Sequence, residues 1–247
     1  MRSTRPSSRY LGVPSMGKYT TGLDLGQAQD YTAIAIIERV GEAATFSYHL
    51  GHLQRYPLHT GYPEIVDDVA KLLQMPPLPG ETALVIDQTG VGDPVVDLFR
   101  RRQRRLSLPG MPVAPITPET IAAPLHPIHI TGGTTVNEDT ETNVWNVPKR
   151  DLVSTAAVLL QARRLRIAEG LPEARTLVDE LLNFQVKITD SGRDTYGAWR
   201  EGTHDDLVLA VALACWWAER FGQPRGPMWV PFQWKGPFGD ERPRTML

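Results

Sequence analysis

The chain has 247 residues, with 26 Lys and Arg against 28 Asp and Glu, 41% hydrophobic residues, 22% charged residues and one Cys. That length can bury a core without disulfides or structural zinc, and a lone Cys215 excludes both an internal disulfide and paired zinc ligands. The longest apolar run, Leu207 to Ala218, is too short to cross a bilayer, and no GxxxxGKS or GxxxxGKT phosphate loop occurs, so neither a membrane span nor a P-loop motor is expected in this chain. A net charge of −2 means that any nucleic acid must be held by local charge.

Residues 1–18 carry Arg2, Arg5, Arg9 and Lys18 among Ser, Pro and Gly, with no apolar period and no secretory signal pattern. They read as a flexible basic arm on an intracellular chain. Tyr19 to Asp24, Tyr31 to Val40 and Ala43 to Tyr56 are β-branched and apolar, which predicts three consecutive antiparallel strands. Ile65, Val66, Val69, Leu72 and Leu73 fall at helical spacing within Tyr62 to Met75, and Pro76-Pro77 ends that helix. Thr82 to Asp87 is a short apolar strand of the doubly buried kind, followed by a helix over Pro94 to Leu106.

Ten of the 21 Pro residues lie between Pro76 and Pro127, so Leu108 to Leu125 is expected to be an extended connector with one strand near Val113 to Ile116. His126 to Thr131 reads as a strand, and Thr134 to Asn137 with Asn143 to Val147 as a hairpin. Pro148 is placed at the first position of a helix reaching Ala162. Leu165 to Ala168 reads as a strand, Pro172 to Asn183 as a helix, and Phe184 to Ile188 with Thr195 to Trp199 as a second hairpin. The last helix, His204 to Phe221, is apolar on every side from Leu207 to Trp217 and is expected at the centre of the core. Residues 222–247 hold five Pro and two Trp, Trp229 and Trp234, and read as a tail. The expected domain is therefore residues 19–221.

Three groups of acids stand out. Asp24 ends the first strand, with Gly26 allowing a close turn, and Asp30 follows. Asp87 ends the fourth strand before the turn Gly90-Val91-Gly92-Asp93, and His204-Asp205-Asp206 opens the apolar helix. If the first and fourth strands are neighbours, their terminal carboxylates lie side by side, and a helix N-terminus can aim another pair at them. Clustered carboxylates repel, and an oxygen-only donor set suits Mg²⁺ or Mn²⁺ better than zinc. Two such ions suit phosphodiester hydrolysis. The competing reading of Thr203 to Asp206 is a capping box in which Asp206 only satisfies backbone N–H groups.

The stretches GLDLGQAQDYTAIAII, ALVIDQTGVGDPVVDLF, VPKRDLVSTAAVLL, LVDELLNF and GTHDDLVLAVALA, in that order over Tyr19 to Phe221, resemble the nuclease domain of the large terminase subunit of tailed phages. The resemblance implies an RNase H-like α/β fold, with a mixed central sheet in which an antiparallel three-strand meander is followed by parallel strands flanked by helices. It also implies an endonuclease that cuts double-stranded viral DNA during genome packaging with two Mg²⁺ or Mn²⁺ ions. Carried over, Asp24, Asp87 and Asp206 are the principal acids, Asp205 assists, and Asp30 is an auxiliary metal ligand. Family members carry an ATPase motor, so the implied partners are double-stranded DNA, a separate packaging ATPase, and a portal or small terminase subunit, in the cytoplasm of a bacterial host. A Holliday-junction-type resolvase of the same superfamily and a non-catalytic docking module are the alternatives. A sugar-kinase-like ATPase, which DLGQAQD alone would allow, needs two such cores and more residues.

Among the cations, Lys149 at a helix start is a candidate phosphate contact, as are Arg100, Arg101 and Arg104 within the cluster Arg100 to Arg105. The competing reading of that cluster is a solvated helix face with cations near its C-terminus. His126 and His129 have HxxH spacing, but Pro127 opposes a helical metal pair.

Overall fold

A computed structural model describes residues 17–27, 30–42, 46–103, 117, 120–190 and 204–222, with the backbone alone for 184–190. Residues 1–16 of the N-terminal arm, Arg104 and Arg105, the strand expected at Val113 to Ile116, that at Thr195 to Trp199, and the tail after Gly222 lie outside those residues.

The three-strand opening is β1 (Tyr19–Asp24), β2 (Ala33–Val40) and β3 (Ser47–Arg55), antiparallel in sequence order. Then come α1 (Tyr62–Leu72), β4 (Thr82–Asp87), α2 (Asp93–Arg102), β5 (Leu125–Thr131), β6 (Asn137–Asp139) and β7 (Val144–Pro148). The order closes with α3 (Lys149–Gln161), β8 (Leu165–Ile167), α4 (Ala174–Asp190) and α5 (Asp206–Phe221). Among the described residues the strands form one eight-stranded sheet, ordered β6-β7-β5-β4-β1-β2-β3-β8. β1, β4, β5 and β7 run parallel, so their C-terminal ends share one edge.

Side-chain alternation along the strands sorts the helices into two layers. Ile34 and Ile36 of β2, with Leu84 and Ile86 of β4, pack against α1 and α2. Ala33, Ala35 and Ile37 of β2, with Ala83 and Val85 of β4, face the opposite layer of α3, α4 and α5. α5 is buried at every residue from Asp206 to Ala218, as its apolar circumference requires. Its close approach to the sheet depends on Gly22, where an added Cβ would lie 2.0 Å from the Ala210 carbonyl oxygen.

Two expectations are corrected. Phe184 to Ile188 is not a strand, because α4 continues to Asp190. The segment alternates at a period of two, but Leu177, Leu181, Phe184 and Ile188 also fall at helical spacing, and the helix prevails. Pro148 is the N-cap of α3 in an extended conformation (φ −59°, ψ 134°), because it still belongs to β7.

Candidate active site

Alternation also decides where the acids point. Gly22 faces α5, so Asp24, two residues on, faces the same layer; Val85 faces it too, and so does Asp87. Asp24 and Asp87 are register partners across β1 and β4. Ala210 sits over Gly22, and Asp206 precedes Ala210 by one helical turn, a rise of about 6 Å that matches the two-residue step from Gly22 to Asp24. The two strand-end carboxylates and the α5 N-terminus thereby meet at one sheet edge. Asp24, Asp87 and Asp206 are 7%, 6% and 5% exposed, which places all three carboxyls at the floor of the site.

They line a cleft of about 550 Å³ together with Asp30, Lys149, His204 and Asp205. Asp30 is exposed at its rim. The floor is braced by its loops. Gln27 Nε2 donates to the Gly90 carbonyl at 2.6 Å, joining the turns after β1 and β4. Thr89 N donates to Asp87 Oδ1 at 2.7 Å, and Thr89 Oγ1 accepts from Ile130 N at 2.6 Å. Gly90, at φ 84°, occupies the left-handed region open to glycine.

Burial pushes the Asp24 carboxyl well above the ordinary carboxylate range, and Asp87, Asp206 and Asp205 add repulsion that Lys149 partly offsets. Burial also raises Asp87, opposed by the hydrogen bonds from Thr89. Asp206 is pushed up to about 6 by burial, despite Arg55. Such a cluster is short of positive charge, and a bound hard cation would relieve it.

Asp205 is the N-cap of α5, but its carboxylate makes no capping bond and pairs with Lys149 Nζ at 2.8 Å. Capping is supplied from α4, where Glu180 Oε2 accepts from Leu207 N at 3.1 Å and Val208 N at 3.2 Å. Thr203 lies outside the described residues; among those described Glu180 serves as the cap of α5, and Asp205 and Asp206 both line the cleft. Glu180 also hydrogen-bonds Arg55 Nη2, and the same nitrogen lies 3.3 Å from Asp206 Oδ2. Asp206 Oδ2 is buried and has no hydrogen-bond partner. His204 Nδ1 is 4.0 Å from that oxygen, and the ring packs edge-on to Tyr31 at 4.8 Å.

Sequence reasoning missed Glu180 and Arg55. Glu180 was findable as an acid three residues from the buried Leu177, on the covered face of α4. Arg55, at the end of β3, carries no local signal.

The donor set of Asp24, Asp87, Asp206 and Asp205 is all oxygen, the chemistry that Mg²⁺ and Mn²⁺ take. The orphaned Asp206 oxygen and the raised carboxyls fit a cation-binding role. Among the described residues no group of three Asp, Glu, His or Cys side chains stands close enough together to hold one metal ion, so each cation would be held by fewer of these acids, with water or a nucleic-acid oxygen completing its coordination.

The α2 cations lie elsewhere. Arg100 pairs with Asp97 at 2.9 Å, Arg102 pairs with Asp67 at 2.7 Å, and Arg101 is exposed; none of the three lines the acidic cleft. His126 stacks on Trp217 at 3.9 Å, and its burial lowers its pKa to about 4, the behaviour of a packed strand residue. Burial likewise pushes the Cys215 thiol up. Among the described residues no helix is long and apolar enough to cross a membrane.

The family model described as the terminase RNaseH-like domain matches residues 21–215. The large terminase subunit of Thermus phage G20c is 26% identical over 206 residues, which cover 79% of this chain and 31% of that protein, so the chain spans about a third of the relative's length. The crystal structure of the large terminase nuclease of phage G20c is similar with a TM-score of 0.46 and 19% identity, covering 79% of this chain and 80% of that one. The human cytomegalovirus terminase nuclease domain, soaked with Mn, is similar with a TM-score of 0.47 and 12% identity over 82% of this chain and 84% of that one.

Proposed function

The chain belongs to the terminase RNaseH-like domain family, and on that premise we propose that it is a divalent-metal-dependent endonuclease that cuts double-stranded DNA during viral genome packaging. The observation that carries this reading is the convergence of Asp24, Asp87 and Asp206, three buried carboxyls from distant parts of the chain, on one cleft at the ends of β1 and β4. Buried acids of one sign are costly to a fold and are maintained where chemistry uses them.

In this reading Asp24 and Asp87 hold cations from the strand ends, Asp206 from the helix, and Asp205 and Asp30 from the sides. Mg²⁺ or Mn²⁺, bound as a pair, supplies activation of the attacking water and stabilisation of the leaving oxygen. The chain's own part is orientation. β1 and β4 fix two carboxylates in register, α5 sets the third, and Lys149, 2.8 Å from Asp205, stands where it can exchange that acid for a DNA phosphate. His204 borders the cleft and can accept a hydrogen bond from water there. The packaging motor and the portal or small subunit are partners expected on separate polypeptides or segments.

The purified chain should nick and linearise plasmid DNA in Mn²⁺ or Mg²⁺, with activity removed by Asp24→Ala and by Asp87→Ala. Cleavage absent in both metals, or indifferent to both substitutions, rejects the proposal.

A further inference from the structure

The cation nearest Asp206 is committed elsewhere. Arg55 Nη2 hydrogen-bonds Glu180, and the same nitrogen stands 3.3 Å from Asp206 Oδ2 without making a hydrogen bond to it. Glu180 is 7% exposed and divides its two oxygens, Oε1 to Arg55 and Oε2 to the backbone N–H groups of Leu207 and Val208. Arg55 is further held with its guanidinium 4.7 Å from the Tyr31 ring centre. One carboxylate thus fixes both the start of the helix that bears Asp206 and the guanidinium that stands in ion-pair range of Asp206.

We propose that Glu180 is a positioning residue of the metal site: by holding Arg55 and the α5 N-terminus together, it keeps Arg55 from closing on Asp206 to hydrogen-bonding distance and so leaves that carboxylate available to a divalent cation in the cleft. This inference rests on the endonuclease reading of the cleft.

The two tasks differ in what they need. Capping N–H groups requires an acceptor oxygen, which an amide also has; retaining a guanidinium against a competing carboxylate requires charge. In Glu180→Gln the cap persists, while Arg55 loses its stronger partner and turns to Asp206. The ion pair, tightened to a hydrogen bond, then competes with a cation for the Asp206 carboxylate. Partners that orient a metal ligand from outside the coordination sphere change metal affinity about 10- to 100-fold.

The test is Mn²⁺ titration calorimetry on the wild-type chain, Glu180→Gln, Arg55→Gln and the double variant, with circular dichroism to confirm folding and plasmid cleavage in parallel. Glu180→Gln is expected to weaken Mn²⁺ binding by on the order of tenfold. Arg55→Gln should bind Mn²⁺ as tightly as wild type or more tightly, and in the double variant the loss should be largely rescued. Rescue is the outcome that a merely structural role would not produce, since removing both ends of one shared contact would leave the double variant no better than Glu180→Gln.

Unchanged binding by Glu180→Gln, or a double variant weaker than either single variant, overturns the inference. If Glu180→Gln does not fold, Arg55→Gln alone decides: weakened Mn²⁺ binding would mean that Arg55 supports the site rather than being restrained from it. A wild-type chain that neither binds Mn²⁺ nor cuts DNA removes the endonuclease reading and this inference with it. A wild-type chain that does both, beside an unaffected Glu180→Gln, removes the inference alone.

Discussion

Asp206 shows how burial makes a carboxyl sensitive to pH, and with it the metal binding proposed for it. Its pKa is pushed from the ordinary carboxylate range up to about 6, so between roughly pH 4 and pH 6 the folded chain keeps a proton that the unfolded chain has released. Asp206 therefore makes the metal-free fold less stable as pH rises through that window, while metal affinity rises through it, because the ligand must be ionised. Calorimetric Mn²⁺ affinity should tighten steadily from pH 5 to pH 7.5, and the decline of metal-free Tm over the same range should be shallower in Asp206→Asn. Asp24 makes the same point more strongly, since burial and three neighbouring acids all raise it. Asp24→Asn should abolish cleavage yet raise metal-free stability, and with it Tm, at pH 7.5. A thermal melt without added metal checks this, and an unchanged or lowered Tm would contradict the account of strain at the site. Asp24, Asp87 and the Asp205-Asp206 pair were visible in the sequence because each ends or begins an apolar element. Glu180 and Arg55 were not, because their roles depend on contacts between residues 125 positions apart.

At the scale of elements, the site depends on how closely α5 lies against β1. Gly22 makes that contact possible, with an added Cβ only 2.0 Å from the Ala210 carbonyl oxygen and 2.9 Å from Ala214 N, both backbone atoms that cannot rotate away. Gly22→Ala should therefore destabilise the fold by about 2–3 kcal/mol, the range of an overpacked core, and reduce cleavage by displacing Asp206 from Asp24. Urea unfolding and a plasmid assay measure the two effects, and a variant with wild-type stability would refute the tight-approach argument. The far end of α5 is tied down as well. Arg39 donates to the Gly222 carbonyl, while Glu219 accepts from Tyr48 Oη at 2.6 Å and from Arg164 Nη2 at 2.7 Å. Most elements were readable from periodicity. The missed extension of α4 reflects a segment whose apolar residues satisfy both periods, where neighbouring helix decides.

Across the whole molecule, a net charge of −2 conceals an acidic cleft with Lys149 at its wall and Arg100 to Arg102 on a different helix. Arg100, Arg102 and Lys149 are all paired with carboxylates, Asp97, Asp67 and Asp205, but of the three only Lys149 borders the cleft. Lys149→Ala should weaken duplex binding and reduce the slope of log affinity against log salt by about one, while Arg100→Ala should leave that slope nearly unchanged. Fluorescence anisotropy over a salt series separates them, and a larger effect from Arg100 would move the DNA path toward α2. Linear duplex should also compete at least as well as a four-way junction, as packaging requires and a resolvase does not. The sequence by itself determined most of the segments that form strands and helices, which of them must be buried, and which acids stand at their ends, because periodicity, glycine turns and terminal carboxylates are local features of the chain. Only the tertiary structure decided that β1 and β4 are neighbours in register, that α5 crosses them one turn from its acids, and that a helix from elsewhere supplies its cap. Those facts follow from packing between distant segments, where one shared face, one missing Cβ and one divided carboxylate choose among arrangements that local propensity leaves equal.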